Sequence, residues 1–264
     1  MALLQCNFKS EVLEMEQPLH VILPQISMIE EGRRKKIKER GFPVLYLLHG
    51  LSSDNSSWTR KTSIERYALE HGIAVVMPNV NRSFYVDMKH GLNYYTYVSQ
   101  EIPYIATTYF PISGKREDSF IAGVSMGGYG AFMIALRNPD KFCAAASLSG
   151  VVDLTPVFSY PDEHVQPMAK MIFGSKLEYL RSDYNLLRLI KKLKQENVRL
   201  PKLFQCCGTE DFLYPLNQRF KAVAQKYGLD LTYGEGPGTH EWGYWDKNIQ
   251  RVLDWMMAER ENLV

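Results

Sequence analysis

Ser119-Phe120-Ile121-Ala122-Gly123-Val124-Ser125-Met126-Gly127-Gly128-Tyr129-Gly130-Ala131-Phe132-Met133-Ile134-Ala135-Leu136-Arg137 decides how this chain is read. It opens on a short apolar run with strand character, Ser119–Ala122. It continues with bulky apolar residues at helical spacing, which stop at Asn138-Pro139, where proline blocks continuation. Gly123-x-Ser125-x-Gly127 therefore falls in a predicted strand-to-helix turn. So tight a turn needs glycine on both sides of the serine, because side chains there would meet neighbouring backbone. Ser125 then stands at the carboxyl end of a strand and the N-terminus of a helix, where a nucleophile is held. The plain alternative is a glycine-rich turn without chemistry, so the rest of the chain has to support the motif.

Outward from this turn, strand and helix alternate. Phe42–Leu48 suits a buried parallel strand and ends in His49-Gly50-Leu51. Ser63–His71 has helical character and stops at Gly72; Ile73–Met77 is a further strand, ending at Pro78-Asn79. Tyr94–Thr107 is predicted as a helix that Pro103 should kink. Phe142–Leu148 is the strand after the serine helix. Lys202–Cys207 and Leu229–Tyr233 are strands, and Leu216–Tyr227 and Asn248–Arg260 helices. Before residue 42, Ala2–Lys9 and Leu19–Leu23 are extended, fitting antiparallel strands at the start of a mixed sheet. The charge run Glu30–Arg40 has two readings, a polyanion contact or a solvated loop or hairpin tip, and the second is favoured. Residues 151–200 break the rhythm with Pro156, Pro161 and Pro167 and short helical pieces at Gln166–Phe173 and Leu186–Glu196. They are expected to form a cap or lid insertion within a single domain spanning 1–264. The expected architecture is a mainly parallel central sheet with helices on both faces. Ligands bind such sheets at the carboxyl ends of the strands.

A length of 264 residues is ample for a buried core, and 45% hydrophobic with 23% charged residues is an ordinary globular balance. A net charge of +2 gives no bulk argument for nucleic acid or an anionic membrane. No apolar run reaches the roughly 18 residues of a membrane span. The first residues lack a basic region followed by an apolar core, so no signal peptide is expected. Cys6, Cys143, Cys206 and Cys207 lack the paired spacing of a zinc site and are expected to be reduced, in a cytoplasmic protein.

A serine hydroxyl needs a base to take its proton, normally a histidine held in one tautomer by a carboxylate. In sheets with such a turn these partners follow in the order serine, acid, histidine. Of the six histidines, only His240 lies after the last predicted strand, in Gly236-Pro237-Gly238-Thr239-His240-Glu241-Trp242. For the acid, Asp211 in Gly208-Thr209-Glu210-Asp211-Phe212-Leu213 is favoured; it could instead cap the helix starting near Pro215. Glu210 and Asp153 are the rivals. Acyl transfer also needs donors for an oxyanion. The backbone N–H of Met126 is one candidate, and that of Leu51, in the loop after an early strand, is the other. His49 reads as structural. Val157, Phe158, Met168, Met171 and Phe173 read either as an acyl pocket or as local packing.

With these residues assembled, the chain resembles the tributyrin esterase group of α/β-hydrolases, close to esterase D (S-formylglutathione hydrolase) and to carbohydrate esterase family 1. The supporting stretches are Leu47-Leu48-His49-Gly50-Leu51-Ser52, Met77-Pro78-Asn79, Gly123–Ala131, Ser147-Leu148-Ser149-Gly150, Cys207–Leu213 and Gly238–Trp242. The resemblance implies the α/β-hydrolase fold and a cofactor-free serine carboxylesterase acting on small-molecule, short-chain acyl esters. It maps the nucleophile to Ser125, the acid to Asp211, the base to His240, and the oxyanion donors to Leu51 and Met126. It leaves S-formylglutathione hydrolysis or acyl transfer on the same triad as alternatives, and it is compatible with a homo-oligomer. The contrasting reading is a non-catalytic binding module on the same scaffold. Such a relic usually loses part of its triad, whereas all three candidates are present here in order.

Overall fold

The computed structural model describes residues 1–261. Its eight strands are β1 (Ala2–Ser10), β2 (Met15–Leu23), β3 (Val44–Leu48), β4 (Ala74–Pro78), β5 (Ser119–Val124), β6 (Ala144–Leu148), β7 (Lys202–Gly208) and β8 (Leu231–Gly236). They form one sheet in the order β1-β2-β4-β3-β5-β6-β7-β8. The β1–β2 and β2–β4 pairs are antiparallel, and every other pair is parallel. The N-terminal hairpin thus extends one edge of a parallel sheet.

The central strands are buried throughout, and their side chains divide by the two-residue period of a strand. Val44, Tyr46 and Leu48 enter one core, together with the helices Met126–Arg137 and Tyr214–Lys226. Leu45 and Leu47 enter the other, with the helices Ile64–His71 and Trp242–Glu261. The sheet is therefore covered on both faces, and its carboxyl edge is left to the loops.

Three elements differ from the expectations. The charged stretch is a helix, Glu31–Arg40, rather than a loop or hairpin tip. Ile37 is buried on its inner side, and the Arg34 guanidinium donates to the Ile29 carbonyl at 3.0 Å. Glu31 lies in its first turn and Lys38 and Arg40 in its last, which suits the helix dipole. Pro103 is absorbed by a π-type turn at Tyr97–Glu101, directly before the helix Ile102–Tyr109. The Lys141 ammonium donates to the Ser99 carbonyl at 2.9 Å, the acceptor that an N–H at residue 103 would have met. The last helix begins at Trp242, six residues before the expected Asn248.

Between β6 and β7 lie the helices Val165–Phe173, Lys176–Arg181 and Leu186–Gln195. The third is strongly two-faced and sends Leu186, Leu189, Ile190 and Leu193 into the main core. Phe158, Phe173 and Tyr179 form an aromatic cluster, with ring centroids 5.3–6.3 Å apart.

Candidate active site

The turn after β5 is built on backbone strain. Ser125 has φ +54° and ψ −117°, a region that a residue with a Cβ rarely occupies. Its N–H donates to the Leu148 carbonyl at 3.0 Å, and its carbonyl accepts from Val151 N–H at 3.2 Å. Both ends of the residue are thereby tied, one to the end of β6 and the other to the loop that follows it. Gly127 is required by close approach: a Cβ there would stand 2.5 Å from the Leu48 carbonyl oxygen and 2.7 Å from that of His49. The helix start is thus pressed against the loop after β3.

That loop is fixed carbonyl by carbonyl. Trp58 Nε1 donates to Leu48 O at 3.0 Å, the Tyr85 hydroxyl donates to His49 O at 2.8 Å, and the His49 ring meets Gly50 O through Nδ1 at 2.8 Å. His49 Nε2 lies 3.1 Å from the Val80 N–H. Burial holds the His49 pKa below its usual value, against the opposing pull of the Gly50 carbonyl and Asp54. A neutral ring with its proton on Nδ1 satisfies both contacts, donating to Gly50 and accepting from Val80. The C=O and N–H of a trans peptide point in opposite directions. Pinning Gly50 O therefore orients the Leu51 N–H. Among the described residues, neither Leu51 N–H nor Met126 N–H donates to a protein acceptor. The position a Gly50 Cβ would take is 3.6 Å from Ser125 Cβ, so this loop adjoins the serine.

The other half of the edge brings Asp211 and His240 together. His240 Nδ1 lies 2.9 Å from Asp211 Oδ2 and 3.1 Å from Oδ1. Asp211 Oδ1 also accepts from Leu213 N–H at 2.8 Å, a turn within the loop rather than the helix cap weighed for it, because the helix Tyr214–Lys226 has Leu213 as its N-cap and no side-chain cap bond. The Asp211 side chain is fully buried. Burial alone would raise its pKa, but His240, the Leu213 N–H and the Ser149 hydroxyl outweigh it and hold the carboxyl below its usual value. The rivals are engaged elsewhere. Glu210 accepts from Gly238 N–H at 2.6 Å, and Asp153 pairs with Arg219 at 2.7 Å.

The loops after β7 and β8 are zipped together. Thr209 N–H donates to Gly236 O at 2.9 Å and Glu210 N–H to Gly238 O at 3.1 Å. Gly208 is required here, because its Cβ would sit 2.1 Å from Gly238 O. The imidazole is flanked by Phe212, ring centroids 4.7 Å apart, and by the edge of Trp245 at 4.9 Å. Among the described residues, the hydrogen bonds of the His240 ring both go to Asp211, and none joins it to Ser125. The two halves meet through Ser149, buried and with φ +47°. Its hydroxyl accepts from Trp245 Nε1 at 3.0 Å, and its N–H donates to Cys206 O at 2.8 Å.

Sequence reasoning missed this supporting set. Trp58, Trp242 and Trp245 form a chain of edge contacts at 5.3 and 5.1 Å, running from the loop after β3 to the His240 ring. The i, i+3 spacing of Trp242 and Trp245 is a helical signal that could have found it. Of the five residues considered for an acyl pocket, Phe158 and Phe173 join the aromatic cluster, while Met168 and Met171 line a cleft facing Arg82.

The profile of the Esterase family matches residues 10–256. An acetyl esterase of Caldicellulosiruptor saccharolyticus is 31% identical over 97% of this chain and 98% of its own. Fluorophosphonate-binding serine hydrolase F of Staphylococcus aureus superposes with a TM-score of 0.87 at 37% identity, covering 97% of this chain and 98% of that one. An S-formylglutathione hydrolase of the same organism gives a TM-score of 0.84, also at 37% identity and the same coverage. The eight-stranded sheet and its flanking helices match these α/β-hydrolase neighbours.

Proposed function

Because this chain belongs to the Esterase family and is a serine carboxylesterase, we propose that Ser125, His240 and Asp211 carry its reaction, on esters of short acyl chains. The observation that carries the reading is the Asp211–His240 bond of 2.9 Å on the sheet edge where the strained Ser125 stands. With Nδ1 facing the carboxylate, Nε2 is the ring nitrogen left for the serine. The Ser125–His240 contact closes when substrate fills the site, as catalytic hydrogen bonds often do.

Ser125 Oγ attacks the ester carbonyl carbon and gives its proton to His240 Nε2. The Leu51 and Met126 N–H groups hold the oxyanion. His240 returns the proton to the departing alcohol. Water, deprotonated by the same nitrogen, then releases the acid from the acyl-enzyme. Asp211 stays ionised throughout, orienting the ring and stabilising its charged form. The 151–200 insertion acts as a cap over this edge. Four free cysteines support a cytoplasmic location, and among the described residues no helix is long and apolar enough to cross a membrane.

The test is hydrolysis of 4-nitrophenyl acetate and butyrate by the wild type and by Ser125→Ala. Turnover should fall to near background in a folded variant; substantial residual turnover removes Ser125 as nucleophile. A second reading, thioester hydrolysis of S-formylglutathione, is favoured by the S-formylglutathione hydrolase relative at 37% identity. Comparing kcat/KM for S-formylglutathione with that for 4-nitrophenyl butyrate decides between them.

A further inference from the structure

A cleft of about 290 Å³ lies between the cap and the loop after β4, lined by Arg82, His164, Pro167, Met168 and Met171. The loop that supplies Arg82 is strained. Asn81, Phe84 and Tyr85 have φ of 51°, 54° and 59°, left-handed values that non-glycine residues rarely adopt. Such strain persists only where the surroundings over-determine it. Here Ser83 through Val86 are buried, Phe84 packs against Tyr129 and Phe173, and Tyr85 and Val80 both bond to His49. The outward product of that anchoring is Asn81-Arg82, which stands exposed. Among the described residues, no hydrogen bond or ion pair engages the Arg82 guanidinium. His164 faces its neighbour Glu163 at 3.5 Å, which leaves Arg82 as the charge lining the cleft.

The far wall comes from the helix Val165–Phe173, where Met168 is half-buried and Met171 is 45% exposed. Two backbone bonds tie this helix to the β4 loop: Lys89 N–H to Ile172 O at 2.8 Å, and His90 N–H to Met171 O at 3.0 Å. The cap leaves the sheet at β6 and is fastened to Lys89 and His90, in the connection that follows β4. In the sheet order those two strands flank β3 and β5, whose ends carry the oxyanion loop and Ser125. Arg82 lies between Val80 and Tyr85, which both bond to His49 in the loop after β3, so the cleft adjoins the reacting edge.

We propose that this cleft is a substrate subsite selecting esters that carry a small anionic group, such as a carboxylate, on an apolar stem. The methionine side chains take the stem, being unbranched and adaptable. The guanidinium, a planar fork of donors, takes the anion. The inference rests on the esterase reading with Ser125 as nucleophile, and it concerns which ester is preferred.

The experiment uses matched pairs of neutral and anionic esters and reads the ratio of kcat/KM, anionic over neutral. In the acyl arm, 4-nitrophenyl butyrate is set against mono-4-nitrophenyl glutarate. In the alcohol arm, methyl 4-acetoxybenzoate is set against 4-acetoxybenzoate. Arg82→Gln should lower the ratio about fivefold in the arm whose anion reaches the cleft, as for an exposed ion pair, and Arg82→Glu should lower it further. The wild-type ratio in that arm should also fall as salt is raised. A ratio that stays within twofold of wild type in both arms for Arg82→Gln overturns the subsite, whether or not Arg82→Glu folds. Failure of the underlying esterase reading is distinguishable, because the neutral esters would then turn over undiminished in Ser125→Ala.

Discussion

The two halves of the carboxyl edge are held in place by different means. On the nucleophile side, position is set by backbone. Ser125 sits at positive φ, Gly127 packs against two carbonyls, and of three successive carbonyls at 48–50 the first two are capped by Trp58 and Tyr85 and the third by the neighbouring His49 ring. On the relay side, backbone bonds join the two loops, but the working side chains themselves are held by side-chain hydrogen bonds. Asp211 is shared between His240 and Leu213 N–H, Glu210 bonds to Gly238, and aromatic rings flank the imidazole. The difference teaches where tolerance lies. A nucleophile and its oxyanion donors have to stay in place while charge develops, whereas a proton carrier has to turn between partners. Backbone constraint suits the first and side-chain bonding the second.

The largest effect should come from Ser125→Ala, which removes the group that the rigid half exists to hold. The drop in kcat/KM for 4-nitrophenyl butyrate should be at least about 10⁴-fold, with the circular dichroism spectrum unchanged. Asp211→Asn breaks the relay half and should cost about 10³- to 10⁴-fold in kcat, since an amide favours the wrong imidazole tautomer. A loss below tenfold in steady-state kinetics would mean that the relay half tolerates more than its bonding implies.

Gly127→Ala sharpens the contrast. Its methyl would meet backbone oxygens that cannot swing aside, so it should destabilise the fold by about 1–3 kcal/mol in urea unfolding. Tyr85→Phe frees the His49 carbonyl and should lower kcat about tenfold with KM little changed.

The smallest effect concerns acid. The folded Asp211 pKa lies below its ordinary value of 3.8, so the unfolded chain takes up that proton first as pH falls. The carboxylate's contribution to stability is therefore complete above about pH 4 and is lost as pH drops through the lowered folded value. Urea unfolding at pH 7 and pH 3 should show a smaller loss for Asp211→Asn than for the wild type.

Local features were legible in the sequence because neighbours in the chain encode them. The Gly123–Gly127 turn, the strand before it and the helix after it needed only spacing and sequence order. What was not legible depends on tertiary contact. Nothing near Trp58 or Tyr85 in the chain shows that they cap the carbonyls at 48 and 49, and Ser149 acquires its partners only when β6 pairs with β7 and the last helix packs on the sheet. The helix Glu31–Arg40 is charged almost all round, so one apolar residue, Ile37, carries its inner face and gives no visible period. Trp242 closes the glycine-rich stretch Gly236–Trp242 in the sequence, although it starts the last helix.

The most direct test of the central claim, that the two halves act as one relay on Ser125, is covalent labelling with a fluorophosphonate followed by peptide mapping. The account predicts one adduct per chain, at Ser125, formed at a rate that collapses in His240→Gln although the serine remains. An adduct on another residue, or labelling of Ser125 at an unchanged rate without the imidazole, would contradict it.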